Sequence, residues 1–178
     1  KRLKQINKNF KYESSSLYKN SKFDDWQNRL SKYINEGNDV ILDVKTSCGK
    51  TWAVNMIVAH ETLQRYDATA LFVIPNQSIL FENIQDICET NYKKYKYARH
   101  MIDLETKNWV SCDNESDINS QIFCVTVDVA FELIIRNSSS EFMKNLKYIV
   151  FDEVHLKDVS DMLWRLCYLN SEIQFVLL

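Results

Sequence analysis

Thr46-Ser47-Cys48-Gly49-Lys50-Thr51 is the stretch on which the reading of this chain turns, because Asp152-Glu153-Val154-His155 stands far downstream of it. Each follows a short strand-like apolar run, Asp39-Val40-Ile41-Leu42-Asp43-Val44 before the first and Lys147-Tyr148-Ile149-Val150-Phe151 before the second. Gly-Lys-Thr between a strand and a helix supplies what a triphosphate needs. Backbone N–H donors converge at a helix N-terminus, the helix dipole favours an anion, a lysine adds a cation and a hydroxyl serves a metal ion. Lys50 is then the point charge at the phosphates and Thr51 a Mg²⁺ ligand. An Asp ending a buried strand can hold Mg²⁺, usually through water, and an adjacent Glu can orient or deprotonate the attacking water. Asp152 and Glu153 stand in those places. The first glycine of the G-x-x-x-x-G-K-T pattern is absent, with Val44 in its position. Ser47 and Cys48 replace the glycine or small residues often found in the loop. By itself, Gly-Lys-Thr would also suit an ordinary strand–helix turn; the second motif removes that reading.

Working outward, apolar spacing predicts a helix from Asp24 to about Asn35 and another from Thr51 to Tyr66, with Ala53, Val54, Ile57, Val58 and Leu63 toward the core. Ala68 to Ile74 reads as a strand stopped by Pro75, and Gln77 to Tyr92 as a helix. A short strand is expected over 97–102, a polar loop over 103–120, a strand over 121–127 and a helix over 128–135. A turn at 137–140 precedes a short helix at 141–145; after the acidic motif come a helix over 158–169 and a last strand over 173–178. Strands alternating with helices imply an α/β fold, a parallel sheet with helices on both faces in three αβα layers. In such sheets ligands bind outside the carboxyl ends of the strands, where both motifs fall.

With 178 residues and 46% hydrophobic content, the chain is long enough for one domain with a substantial core. It has only 2 Gly and 1 Pro, so few turns can rest on special backbone angles. The net charge of −2 is unevenly spread. Residues 1–22 carry seven Lys/Arg and one Glu, a net +6, and the rest is −8. The first 22 residues are polar and without period, and are expected to be a basic arm or linker, either solvated or touching phosphates. Cys48, Cys88, Cys112, Cys124 and Cys167 form no C-x-x-C pair, which suggests a reducing compartment and a cytoplasmic location. No run is long and apolar enough to suggest a membrane span. His60, His100 and His155 have no metal-ligand spacing with the cysteines. The mixed Tyr92-Lys93-Lys94-Tyr95-Lys96-Tyr97 segment reads as a solvated connection, the group around Trp164 as core, and Cys48 as structural. The chain starts at Lys1 and stops in Phe175-Val176-Leu177-Leu178, so both ends look cut from something longer.

In this order the motifs resemble the first RecA-like domain of superfamily 2 helicases, a P-loop NTPase fold. Thr46–Thr51 resembles motif I, Ile74-Pro75-Asn76-Gln77 motif Ia, and Val150-Phe151-Asp152-Glu153-Val154-His155 a DEVH form of motif II. Val125-Thr126-Val127 resembles the motif preceding it. The DEVH spelling, Trp26-Gln27 with Leu30 ahead of motif I, and the Lys147–His155 strand are similar to the Ski2-like branch and the large antiviral DExD/H-box helicases with their viral relatives. The resemblance covers roughly residues 23–178, expected to form helicase RecA-like domain 1. It implies ATP and Mg²⁺ as cofactors, with Thr46, Ser47, Cys48, Gly49, Lys50 and Thr51 around the phosphates. It also implies Phe23 and Gln27 beside adenine, and His155 coupling the nucleotide site to a motif beyond Leu178. Phe23 would serve equally as a hydrophobic staple on the following helix. Pro75, Asn76, Gln77 and Thr126 occupy positions that touch nucleic acid in such proteins.

The implied function is the ATP-binding domain of an ATP-dependent RNA helicase or translocase, with Lys50, Asp152 and Glu153 catalytic. RNA, or DNA as an alternative, would be the partner of the full-length protein. A second RecA-like domain in cis would complete the site with arginines, so the isolated domain is expected to be monomeric and to turn over little ATP. Motif Ia here lacks the usual Thr and basic residue, and Thr126-Val127-Asp128-Val129 lacks the usual Pro and Glu. Those departures keep open a catalytically weak helicase-like scaffold or binding module, and a DNA translocase shares the same domain. A P-loop kinase fits poorly with Asp-Glu followed by His155 so far from the loop.

Overall fold

The computed structural model describes residues 3–6, 23–45, 48–65, 67–75, 101–103, 110–111, 121–136, 141–166 and 172–178. In chain order the strands are β1 (Leu3–Ile6), β2 (Asp39–Leu42), β3 (Thr69–Ile74), β4 (Met101–Asp103), β5 (Val110–Ser111), β6 (Ile122–Thr126), β7 (Leu146–Phe151) and β8 (Gln174–Leu177). The helices are α1 (Asp25–Asn35), α2 (Lys50–Leu63), α3 (Val127–Arg136), α4 (Glu141–Asn145) and α5 (Lys157–Leu166).

Among the described residues the strands form one sheet in the order β1-β2-β8-β7-β3-β6-β4-β5. Every pairing is parallel except β4 with β5. All six residues of β3 are buried, which its unbroken apolar sequence requires of a strand covered on both faces. The two-residue period of the strands sorts the core into two clusters. Ala70, Phe72, Ile74, Tyr148 and Val150 face Leu30 and Ile34 of α1 and Val54, Ile57 and Val58 of α2. Leu71, Val73, Ile149 and Phe151 face Ala130 and Leu133 of α3, Phe142 of α4, and Val159 and Leu166 of α5. The chain is therefore the expected three-layer αβα domain.

Two differences come from pairing that sequence periodicity does not carry. Four residues of the N-terminal arm form β1, in register with β2 from Leu3 opposite Asp39 to Ile6 opposite Leu42. The polar 103–120 stretch contributes β5, whose two residues pair with Ile102 and Asp103. An edge strand needs a partner on one side only, so neither segment had to be apolar. The helix expected over 77–92 and the Tyr92–Tyr97 segment lie outside the described residues.

Candidate functional site

β2 turns into α2 through a left-handed glycine. Gly49 is the residue before the helix, at φ 71° and ψ 32°, and the N–H of Ala53 donates to its carbonyl at 2.9 Å. This conformation penalises any Cβ, so one of only two glycines in the chain is spent here. Lys50, Thr51 and Trp52 then form the first turn, where backbone N–H groups lack helical acceptors and the dipole is positive. Cys48 is half-buried with a free thiol. Thr46 and Ser47 lie outside the described residues.

β7 delivers the acidic motif to the same edge, with β8 between it and β2. The backbone there is held on both sides. Asp152 N–H donates to Val73 O at 3.0 Å, Val154 N–H to Leu178 O at 3.0 Å, and Leu178 N–H to Phe151 O at 2.9 Å. Asp152 is 7% exposed. Thr51 Oγ1 donates to its Oδ2 at 3.5 Å, and the N–H of Glu153 donates to its Oδ1 at 3.0 Å. Burial pushes the Asp152 carboxyl above the usual carboxylate range, and the Glu153 charge adds to this; the Glu153 N–H, Lys50 and Thr51 act in the opposite direction. Glu153 adopts φ 53°, a left-handed backbone unusual for a residue with a side chain. Its carboxylate lies 3.2 Å from His155 Nδ1, and both side chains are exposed to solvent.

A cleft between the two motifs is lined by Thr51, Asn55, Val73, Ile74, Asp152 and Leu178. The donors around it suit a hard cation: a hydroxyl and a carboxylate converge, and a lysine stands beside them. Among the described residues no three His, Cys, Asp or Glu side chains gather into a metal site of their own. Such a sparse set fits Mg²⁺ held partly by substrate phosphates.

The other end of the α2 first turn carries a feature that the sequence reading missed. Trp52 is 41% exposed, and its ring meets Phe23 with centroids 5.9 Å apart and planes at 58°. Phe23 thus packs on Trp52; Asn28, the staple position of α1, instead donates through Nδ2 to the Phe23 carbonyl at 3.3 Å. Gln27 is buried, and its Oε1 accepts the Asp24 N–H at 2.9 Å, closing a capping box on α1. Asp24 followed three residues later by Gln27 was the available signal for that cap.

The residues singled out as nucleic-acid contacts fall on the next strands along. Pro75 is half-buried just past β3, and Thr126 ends β6 opposite Ile74. Both lie at the carboxyl edge, on the side of β7 away from β8. Asn76 and Gln77 lie outside the described residues. No helix among the described residues is long and apolar enough to cross a membrane.

Comparison with known proteins gives the same architecture. The chain is 24% identical over 157 residues to a human protein described as probable ATP-dependent RNA helicase DDX60-like, covering 86% of this chain and 9% of that protein. It is 23% identical over 128 residues to ATP-dependent DNA helicase Hel308 of Pyrococcus abyssi, covering 71% of this chain and 16% of Hel308. The crystal structure of a DEAD box protein from Methanococcus jannaschii superposes with a TM-score of 0.64 at 17% identity, over 85% of this chain and 42% of that one. The chain thus spans a small fraction of the length of the curated relatives it matches. The sequence profile of the DEAD/DEAH box helicases matches residues 24–175, and the chain belongs to that family.

Proposed function

We propose that this chain is the first RecA-like, ATP-binding domain of an ATP-dependent RNA helicase or translocase of the Ski2-like DEVH branch. The observation that carries the reading is the convergence of Thr51 Oγ1 and Asp152 Oδ2 to 3.5 Å from two separate strand ends. Lys50 neutralises the β- and γ-phosphates, and Thr51 and Asp152 hold Mg²⁺, which supplies charge neutralisation on the transferred phosphoryl group. Glu153 accepts a proton from, or orients, the attacking water. Thr46, Ser47, Cys48 and Gly49 shape the phosphate loop, and Phe23 and Gln27 mark the base end. His155, paired with Glu153, couples the site to a motif carried beyond Leu178. Pro75, Asn76, Gln77 and Thr126 take the nucleic-acid-contact role, and a second RecA-like domain in cis supplies the completing arginines. The similarity to a probable RNA helicase supports RNA, and the absence of a disulfide at Cys48 and Cys124 goes with a cytoplasmic location.

Titration of Mg²⁺-ATP into the chain by calorimetry, beside Lys50→Ala, tests the site. Binding by the wild type and its loss in the variant are expected. Equal binding by both would place the nucleotide elsewhere. A second reading, a scaffold that binds nucleotide with weak turnover, draws on Glu153, whose carboxylate is turned to His155. A rate in the full-length protein that RNA does not stimulate would favour that scaffold, and stimulation by DNA alone would favour a DNA translocase.

A further inference from the structure

Resting on the nucleotide site proposed above, we infer that Asn55 is a positioning residue that ties the Thr51–Asp152 pair to the end of β3. Through it, nucleotide binding is passed to the nucleic-acid positions that follow Ile74. Three observations carry this.

The first is a residue out of keeping with its helix. Asn55 lies in the second turn of α2 at 3% exposure, among the buried aliphatic side chains of Val54, Ile57 and Val58. Asparagine is one of the weaker helix formers, and burying a carboxamide costs more than burying an aliphatic chain of similar size. Neither the helix nor the core calls for it, and such local conflicts gather at functional positions.

The second is where the residue stands. Thr51 and Asn55 are four residues apart and share one face of α2, with Asn55 about 6 Å further along the axis. Both border the cleft that Asp152 also lines. Among the described residues along that cleft these three carry the polar side chains, and the others, Val73 and Ile74 of β3 included, are apolar. A carboxamide, which both donates and accepts, thus shares one cleft with the metal-binding pair and with the last two residues of β3.

The third is connectivity. Val73 O accepts the Asp152 N–H at 3.0 Å, which joins β3 to the acidic motif. Ile74 leads directly into Pro75 and pairs with Thr126. Thr51 and Asp152 exchange the 3.5 Å hydrogen bond between them for Mg²⁺ when nucleotide binds. Asn55, fixed to Thr51 through one turn of helix, passes that adjustment across the cleft to Ile74, and so to Pro75 and Thr126.

The experiment measures coupling in the full-length protein. Affinity for a labelled oligouridylate, with oligothymidylate in parallel, is read without nucleotide and with Mg²⁺ and a saturating non-hydrolysable ATP analogue. Wild type, Asn55→Leu and Asn55→Gln are compared, each with its melting temperature and its affinity for the Mg²⁺-analogue complex. The wild type is expected to bind one strand about ten-fold more tightly with nucleotide. Asn55→Leu, of similar volume, should hold analogue affinity within about three-fold and melt no lower than wild type. Its ratio of the two strand affinities should fall by about five-fold or more. Asn55→Gln, whose longer amide extends into the cleft, should restore most of that ratio. A merely structural Asn55 would move the melting temperature and not the ratio. Should Asn55→Leu fail to fold, Asn55→Ala decides by the same ratio. An unchanged ratio overturns the inference, as does lost analogue binding in a folded leucine variant, which would put Asn55 in the nucleotide site itself. A wild type that binds the analogue while neither strand responds overturns the coupling and leaves the nucleotide site standing. A wild type that binds no analogue defeats both.

Discussion

Thr51 and Asp152 are 101 residues apart in the chain, yet Thr51 Oγ1 lies 3.5 Å from Asp152 Oδ2. Neither neighbouring strand alone brings them together. β2 and β7 are not paired with each other; β8 fills the space between them, matching Val40 to Val176 on one side and Val150 to Val176 on the other. The last residues described thus set the distance across a site whose two motifs lie far upstream. Leu178 closes the arrangement by donating to Phe151 O and accepting from Val154 N–H.

The Asp152 carboxyl is raised by burial and by Glu153, so its ionised form is disfavoured in the folded chain. A carboxyl raised on folding stabilises below its unfolded pKa, and that stabilisation is lost as pH rises through the folded value. Near neutral pH, Asp152→Asn should therefore raise the melting temperature of the nucleotide-free chain. A gain of about 1 kcal/mol would move it by about 2–4 °C. The same variant should lose the tightening of ATP binding by Mg²⁺. In the wild type that tightening should fade on acidification at a pH above the range of an ordinary aspartate. Thermal melts and calorimetry from pH 4 to 8 read both effects; a lower melting temperature for the asparagine variant would count against a strained charge here.

Gly49 holds φ 71°, and among the described residues nothing lies within 4 Å of where a Cβ would sit. Gly49→Ala should therefore cost only the left-handed backbone penalty, about 1–2 kcal/mol, without a steric clash. The denaturant midpoint should fall accordingly, and nucleotide affinity with it if the loop relaxes toward ordinary helical angles. An alanine variant as stable as the wild type would mean that the left-handed turn is not the resting conformation.

For Glu153→Gln, binding and chemistry should separate. The side chain is exposed and pairs with the exposed His155, so stability and Mg²⁺-ATP affinity should stay close to wild type. Whatever hydrolysis the chain supports should fall by about 10²–10⁴-fold, the usual scale for a missing general base. An unchanged rate would remove Glu153 from the chemistry.

Gln174 tests the framework beneath the site. It is buried, and its Nε2 donates to Ile34 O at 3.2 Å and to Asn38 O, while the next N–H, of Phe175, donates to Asp39 Oδ1 at 2.8 Å. These bonds tie β8 to the end of α1 and the start of β2. Gln174→Ala removes the side-chain donor from Asn38 O and one of two donors from Ile34 O, which keeps the Gly37 N–H at 3.0 Å, at a cost of about 0.5–1.5 kcal/mol. The melting temperature should drop by several degrees, and a change under 1 °C would show that β8 is held by strand pairing alone.

Much of the layout was legible because buried parallel strands need unbroken apolar runs and amphipathic helices need a 3.6-residue period. Ala68–Ile74, Lys147–Phe151 and the helix after Gly49 were found on those terms. β1 was not, since Leu3–Ile6 lies in a polar, basic stretch and is a strand only because the free edge of β2 accepts it. Trp52 was passed over as one more position in a helix, since an exposed aromatic has no period. Its meaning comes from Phe23, which belongs to a different element.

The sequence by itself determined the chemistry on offer: a lysine and a threonine at a helix start, an aspartate and a glutamate at a strand end, and a glycine where the turn demands positive φ. Those are local requirements, met by residue type and spacing. Only the tertiary structure decided what stands against what. Asp152 meets Thr51 because β8 inserts between β2 and β7, Phe23 meets Trp52 because α1 packs on α2, and Gln27 is drawn into the cap of its own helix. Each depends on which strands pair and which faces bury, and these are set by hydrogen bonds and apolar contacts between segments far apart in the chain, which no local pattern records.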